Sequence, residues 1–372
     1  MTQARAAMSV LLLAAAAIRP AVAQDDTDWD LLEQEAAGEA AAWDWEWYSE
    51  TRLRSDTVRD LPSGHEFERL RLHALVGVRW FSDSWEVGTA FKIAAGTDDN
   101  EDNVANLDNE ESNEVDLGDF YIRAFPTDRA IIEMGKTSLP LDLSPMVWDR
   151  DLRPTGISVQ QDWEPRPFDR LIFLAGRFRG LHYDESRTDL TAAQIKWRLR
   201  EGAPRGGSVA LTVLDFSDLD VLAQTGRGRT NRLTADPTTS QLRYLNQYRI
   251  LDLELGYQTD TPWGVLLTQV NLARNLEADQ DDEAARLSIE LFDPDRQGWD
   301  FGYALQRVQR EAVVSALNDD DWWFGTGMRG YRLSAGYWFN PDLRLGLSAF
   351  VERFDPASQR NKRLLLDLTL TR

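Results

Sequence analysis

The sequence contains no cysteine and only three histidines, His65, His73 and His182. The first absence excludes disulfides, a thiolate metal site and a cysteine nucleophile. The second leaves no evident nucleophile–base arrangement, and neither a G-x-S-x-G elbow nor a nucleotide-binding glycine loop occurs, so the chain offers little to catalysis. Long apolar runs are missing too: the longest, Ser9 to Ile18, is about ten residues, too short for a spanning helix. Any crossing of a membrane must therefore be made by strands. Positive charge is outnumbered, with 41 Lys+Arg against 62 Asp+Glu and a net charge of −21, which argues against nucleic acid as a partner.

What is present begins with an export signal. Arg5 supplies a positive start, Ser9 to Ile18 an apolar stretch and Ala21-Val22-Ala23 a small-residue cleavage site, the three parts of a secretory signal peptide over 1–23. Loss of Arg5 and Arg19 makes the mature chain two units more negative than the full sequence. Residues 24–42 form an N-terminal periplasmic segment whose Ala/Glu-rich part, Asp28 to Ala42, reads either as a short helix or as a solvated linker. Residues 43–372 carry the rest of the design.

That design is visible in WDWEWYSETRLRS, Trp43 to Ser55. Trp43, Trp45, Trp47, Ser49, Thr51 and Leu53 alternate with Asp44, Glu46, Tyr48, Glu50, Arg52 and Arg54. Side chains alternate across a strand, so this segment has one oily and one ionic face. The pattern recurs in Leu70, Leu72, Ala74, Val76 and Val78 against Arg69, Arg71, His73, Gly77 and Arg79, and in Leu364 to Leu370 against Asp367, Thr369 and Thr371. Inward charges require a wet interior, which favours a membrane barrel over a packed core.

Alternation and turn chemistry predict sixteen strands, roughly 43–55, 65–80, 85–96, 115–125, 129–138, 156–163, 170–180, 190–200, 208–217, 247–259, 264–276, 284–293, 299–310, 326–339, 342–354 and 362–372. Every second connection is short and rich in Pro, Gly or Asp, as at Phe81, Pro126, Glu164, Glu201, Asp260, Pro294 and Asn340. The others are mostly longer and polar, including Thr97 to Glu114, Leu139 to Thr155 and Asp218 to Asn246. Short periplasmic turns on one rim and long extracellular loops on the other are the pattern of an all-β transmembrane antiparallel barrel. Trp43, Trp80, Trp85, Phe125, Trp163, Phe168, Trp263, Phe292, Trp299, Trp338 and Phe339 flank the short turns or the first strand and read as an aromatic girdle. Trp322, Trp323 and Phe324, in a long connection, read as part of the opposite one.

Three stretches between Gly135 and Phe178, GKTSLP, VWDRDLRPTGISVQ (Val147 to Gln160) and FDRLIFLAGRF (Phe168 to Phe178), resemble a family of bacterial outer-membrane porins. In that family a Gly-Lys or Gly-Arg ends a strand, a loop carries a Trp-Asp-x-Asp-Leu element, and a strand with an Ala-Gly pair follows. The resemblance implies a sixteen-stranded pore in the bacterial outer membrane, assembled as a homotrimer and passing small hydrophilic solutes by diffusion. One departure is that the chain ends with Arg372 where such barrels usually place an aromatic residue.

By analogy with trimeric porins, the third long loop, Leu139 to Thr155, folds inward and narrows the channel. Together with Lys136 just before it, it supplies the candidate constriction residues Asp142, Asp149, Arg150, Asp151 and Arg153. Lys136 reads equally as a strand-end lysine snorkelling to the interface. The facing candidates, all at inward parity, are Arg71, Lys92, Arg123, Lys196, Arg198, Arg286, Arg332 and Arg344. Acids opposite a basic wall set a transverse field. In the plainer reading the loop lies outside and the arginines pair with Asp119, Glu254, Glu290 and Asp367. The acidic run Asp98 to Glu111 fails the EF-hand spacing, with Asn103 where Gly is required and Asn109 where Glu is; it reads as a solvated loop, with at most weak divalent-cation binding among lipopolysaccharide phosphates. The sequence thus predicts a passive porin with a weak anion preference, needing no cofactor and no metal, in contact with lipid and lipopolysaccharide. Polysaccharide export of the alginate type is the alternative, followed by an enzyme or adhesin on a closed barrel and by a soluble periplasmic β protein.

Overall fold

A computed structural model describes residues 44–372, apart from 62–63, 65, 99–108, 110–112, 183–186, 201–204, 229, 356 and 358. The expected signal peptide, the segment 24–42, Trp43 and most of the acidic run lie outside the described residues. The strands are β1 Asp44–Arg59, β2 Phe67–Phe81, β3 Trp85–Gly96, β4 Glu114–Thr127, β5 Ala130–Lys136, β6 Thr155–Arg166, β7 Asp169–Arg179, β8 Asp189–Leu199, β9 Arg205–Ser217, β10 Leu233–Ala235, β11 Leu242–Tyr244, β12 Arg249–Thr261, β13 Gly264–Asn275, β14 Glu283–Phe292, β15 Gly298–Val308, β16 Met328–Asn340, β17 Leu343–Phe354 and β18 Arg360–Thr371. All but β10 and β11 join one closed antiparallel barrel of sixteen strands. Each strand pairs with its neighbour in sequence, except that β9 pairs with β12 and β18 returns to β1. That last pairing runs from Glu50↔Thr371 to Arg59↔Lys362, so no barrel strand is left with an open edge.

Burial is inverted relative to a soluble protein. Among outward residues Trp45 is 65% exposed, Leu333 54% and Leu70 47%, whereas the inward Asp56 is 0% exposed. Arg54, Arg69 and Arg363 are buried with it. Keeping a large apolar side chain in water costs about 1.5–3 kcal/mol, and a whole domain is stable by only about 5–15 kcal/mol. An exterior built this way belongs in hydrocarbon, as in a membrane barrel.

The aromatic ring at the short-turn rim is present: Trp80, Trp85, Trp163, Phe168, Trp263, Trp299 and Phe339 are exposed there. Two expectations need correction. Trp338 pairs with Arg344 across β16 and β17, and the guanidinium groups of Arg344 and Arg296 lie over its ring at 5.8 and 5.3 Å; its parity turns it into the lumen. Trp322, Trp323 and Phe324 form no outer girdle. They are buried and pack edge-on against Phe350, tilted on Phe67 and stacked on Phe354, respectively.

Those aromatics belong to a second, internal core made by the long connections. We number the long connections L1 to L8; L2 is 97–113, L3 137–154, L5 218–248 and L7 309–327. L5 contains the short helix α1, Asp220–Gln224, and the β10–β11 hairpin. Leu143, Met146, Val147 and Trp148 of L3, Leu222 of L5 and Val313, Leu317 and Trp322 of L7 belong to the same buried cluster. Polar contacts lock the pieces. The Glu311 carboxylate accepts from the Arg232 amide, Asn246 Nδ2 and the Tyr248 hydroxyl, each at 3.0 Å. The Glu352 carboxylate on β17 accepts the amides of Trp323 and Phe324 at 2.9 and 3.2 Å.

Candidate functional site

L3 connects adjacent strands β5 and β6, yet its side chains reach distant wall positions. At one end the Asp142 carboxylate accepts from Lys196 Nζ on β8, and Gln194 of the same strand donates to the Asp142 carbonyl at 2.9 Å. At the other, Arg52 Nη2 on β1 donates to Asp151 at 3.2 Å. Nearby, Arg153 Nε meets Asp119 of β4 at 3.1 Å. All these wall residues have inward parity, which the strand period fixes.

L3 also pairs with L7 through backbone. The Asp149 amide donates to the Leu317 carbonyl at 2.7 Å and the Asp319 amide to the Pro145 carbonyl at 3.0 Å. L2 adds Asn109, whose Nδ2 donates to Asp149 at 2.8 Å and to the Asn318 carbonyl at 2.7 Å, while its own amide donates to Asp320 at 2.6 Å. One of the two residues that break the EF-hand spacing is thus a cross-link between three connections. A glutamate there would place a further negative charge against Asp149 and Asp320.

The junction is rich in acid. The carboxylates of Asp319, Asp320 and Asp321 come within 4.8 Å of one another, with Asp149 beside them. Burial, then Asp320, Asp151 and Asp319, push the Asp149 carboxyl well above the ordinary carboxylate range. Burial, then Asp321 and Asp320, push Asp319 up to about 7. Asp321 is half-buried, but Arg54 and Arg363 outweigh the desolvation and hold it low; Arg54 Nη1 donates to it at 2.5 Å.

Beside the junction lies a cavity of about 620 Å³. Asp149, Arg150, Asp151 and Arg153 of L3 line one side, and Arg286 of β14 and Arg332 of β16 line the facing wall. Of the eight predicted wall cations, these two share the cavity with the loop acids. Lys196 is taken up by Asp142, Arg123 by Glu133 and Glu86, and Arg344 by Asp300 at 2.6 and 2.8 Å. Arg198 lines another cavity near the short turns, and Arg71 and Lys92 sit on β2 and β3. Lys136 is apart from the L3 cluster: its ammonium meets Asp116 at 3.0 Å, opposite the outward-facing Phe120. Of the acids in the plainer pairing scheme, Asp119 and Asp367 do hold arginines, Arg153 and Arg54, whereas Glu254 accepts amides from Asn271 and Gln269. Asp319, Asp320, Asp321 and Glu352 are not among the residues expected from sequence, and Asn109 is there only as a break in the EF-hand spacing, although the triple aspartate beside two tryptophans is a visible signal.

No protein-family model and no curated protein sequence matches the chain. Solved structures do. OprB of Pseudomonas putida at high pH aligns with a TM-score of 0.56 at 10% identity, over 92% of this chain and 96% of that one. OmpF of Salmonella typhi, in complex with daunomycin, gives 0.54 at 10% identity over 88% and 97%. A loop-deletion mutant of OmpT from Vibrio cholerae gives 0.53 at 12% identity over 88% and 99%. At such low identity the likeness concerns architecture, and it agrees with the strand count, the closure and the inverted burial: this chain has the fold of the sixteen-stranded bacterial outer-membrane porins.

Proposed function

We propose that the protein is an outer-membrane porin that lets small hydrophilic solutes diffuse through its lumen, with L3 narrowing the passage and L7 bracing it. One observation carries this reading. Asp142 meets β8 and Asp151 meets β1, and in a ring of sixteen these strands are seven places apart. A segment of ten residues that touches both walls has to cross the interior. The acids on it and the arginines opposite then act on the same passing solute, where low-dielectric surroundings strengthen the field. Inward cations at mid-wall favour anions weakly, and assembly as a trimer, in contact with lipid and lipopolysaccharide, follows from the fold analogy.

The test is single-channel recording of refolded protein in planar bilayers, with neutral polymers of graded size as blockers. We expect discrete openings, exclusion of polymers wider than the L3 gap, and a reversal potential in a salt gradient on the anion side. A variant in which 140–152 is replaced by a short Gly/Ser linker is expected to conduct more and to admit larger polymers. Absence of conductance from protein shown to be folded and inserted overturns the reading.

A further inference from the structure

Three guanidinium groups face the 620 Å³ cavity without a carboxylate within 4 Å among the described residues. Arg286 is 4% exposed, and its Nη1 donates to Gln306 Oε1 at 2.9 Å. The Nε of Arg332 is buried and donates to nothing among the described residues. Arg150, exposed on L3, donates no side-chain bond there, although its carbonyl accepts from Arg153. Arg332 and Arg150 both repel Arg286. Glu290 and Asp319 attract it from beyond bridging distance, and Asp319 holds its proton up to about pH 7.

Several other luminal arginines hold carboxylates. Arg54 meets Asp321 and Asp367, Arg123 meets Glu86 and Glu133, and Arg344 meets Asp300 in a fork. A buried cation without an anionic partner is costly, and a half-buried guanidinium beside it, with a third within reach, compounds the cost. Such an arrangement is offset when an anion enters, because a guanidinium fork matches the paired oxygens of a carboxylate or phosphate. Arg332 also borders the next cavity, of about 520 Å³, which continues toward the short-turn rim where Arg344 lies.

We propose that Arg150, Arg286 and Arg332 form a saturable binding site for a small oxyanion, a carboxylate or phosphate group, in the solute path. The inference rests on the channel reading for its transport role, but the site itself does not require conduction. Two measurements separate them. Calorimetric titration of the refolded protein in detergent with succinate, and separately with inorganic phosphate, reads the site directly. Recording chloride currents while adding the same two anions reads its effect on transport.

Saturable binding of at least one anion is expected, weakened tenfold or more in Arg286→Gln/Arg332→Gln and less in Arg332→Lys, which keeps the charge but loses the fork. Arg79→Gln, at a carboxylate-paired arginine near the short turns, is expected to bind as the parent does. Saturable block of chloride current should follow the same order. Heat for succinate alone identifies a carboxylate site and for phosphate alone a phosphate site. No saturable heat with either anion, or equal binding by the double glutamine variant, overturns the site. Binding without any channel activity overturns the porin reading and leaves the site standing. Heat-modifiable migration on gels confirms that each variant is folded.

Discussion

Asp56 shows what a single inward residue does in this barrel. It lies on β1, fully buried, and its carboxylate accepts from Arg363 of β18 at 3.0 and 2.7 Å and from Arg69 of β2 at 2.9 Å. It therefore ties both neighbours of the first strand together at the closing seam. Removing one member of a buried ion set costs about 3–5 kcal/mol, since the remaining charges keep their desolvation penalty. Asp56→Ala is expected to lower the unfolding free energy by about that amount in guanidinium titrations of the micelle-embedded protein, whereas Arg59→Ala, whose Glu66 and Glu68 partners are solvent-exposed, is expected to leave it nearly unchanged. The inward direction of Asp56, Arg69 and Arg363 was legible from alternation alone. Their partnership was not, because strand period fixes a side chain's face but leaves register and closure open.

At the scale of elements, strands and connections differ in how much the sequence discloses. The sixteen strands stand out because a period of two repeats over ten residues or more and turn residues punctuate it. The connections have no period. Trp322 to Phe324 therefore look like a rim girdle from sequence but are an anchor against Phe67, Phe350 and Phe354. Likewise, inward parity identified Arg286 and Arg332 but not the cavity they share with L3. The L3–L7 junction has a pH dependence whose sign can be worked out. Asp319 titrates near 7 in the native state against 3.8 ordinarily, and Asp149 moves the same way, so the folded junction binds more protons than the undocked one. Docking is then strongest below the ordinary carboxylate pKa and weakens as pH rises through about 7. Asp321 acts oppositely: its pairing with Arg54 contributes above its ordinary pKa and is lost on acidification. Asp319→Asn is expected to remove much of the loss near neutrality, on the order of 1 kcal/mol after allowing for solvent screening. The protection of the Asp149 amide against hydrogen exchange at pH 5 and pH 8, corrected for intrinsic rates, reads this directly. Equal pH dependence in parent and variant would refute the assignment.

On the scale of the whole molecule, a net-acidic chain encloses a lumen in which cations are prominent, and an apolar exterior is joined to an interior braced by loops from one rim. Under the proposed reading L3, which touches β8 at one end and β1 at the other, divides the bore into unequal lanes instead of constricting it symmetrically. The open volume beside it is bounded by Glu254, Gln269, Arg286 and Arg332 on β12, β13, β14 and β16, while the Arg123–Glu133 pair of β4 and β5 lies on the other side of the divider. On that reading traffic is eccentric, hugging the later half of the sequence. Neutral substitutions at Arg123 and Glu133 together should leave single-channel current unchanged, whereas an equal number at Arg286 and Arg332 should alter both its size and its ion preference. Matching changes from the two pairs would instead describe a pore that conducts along its axis.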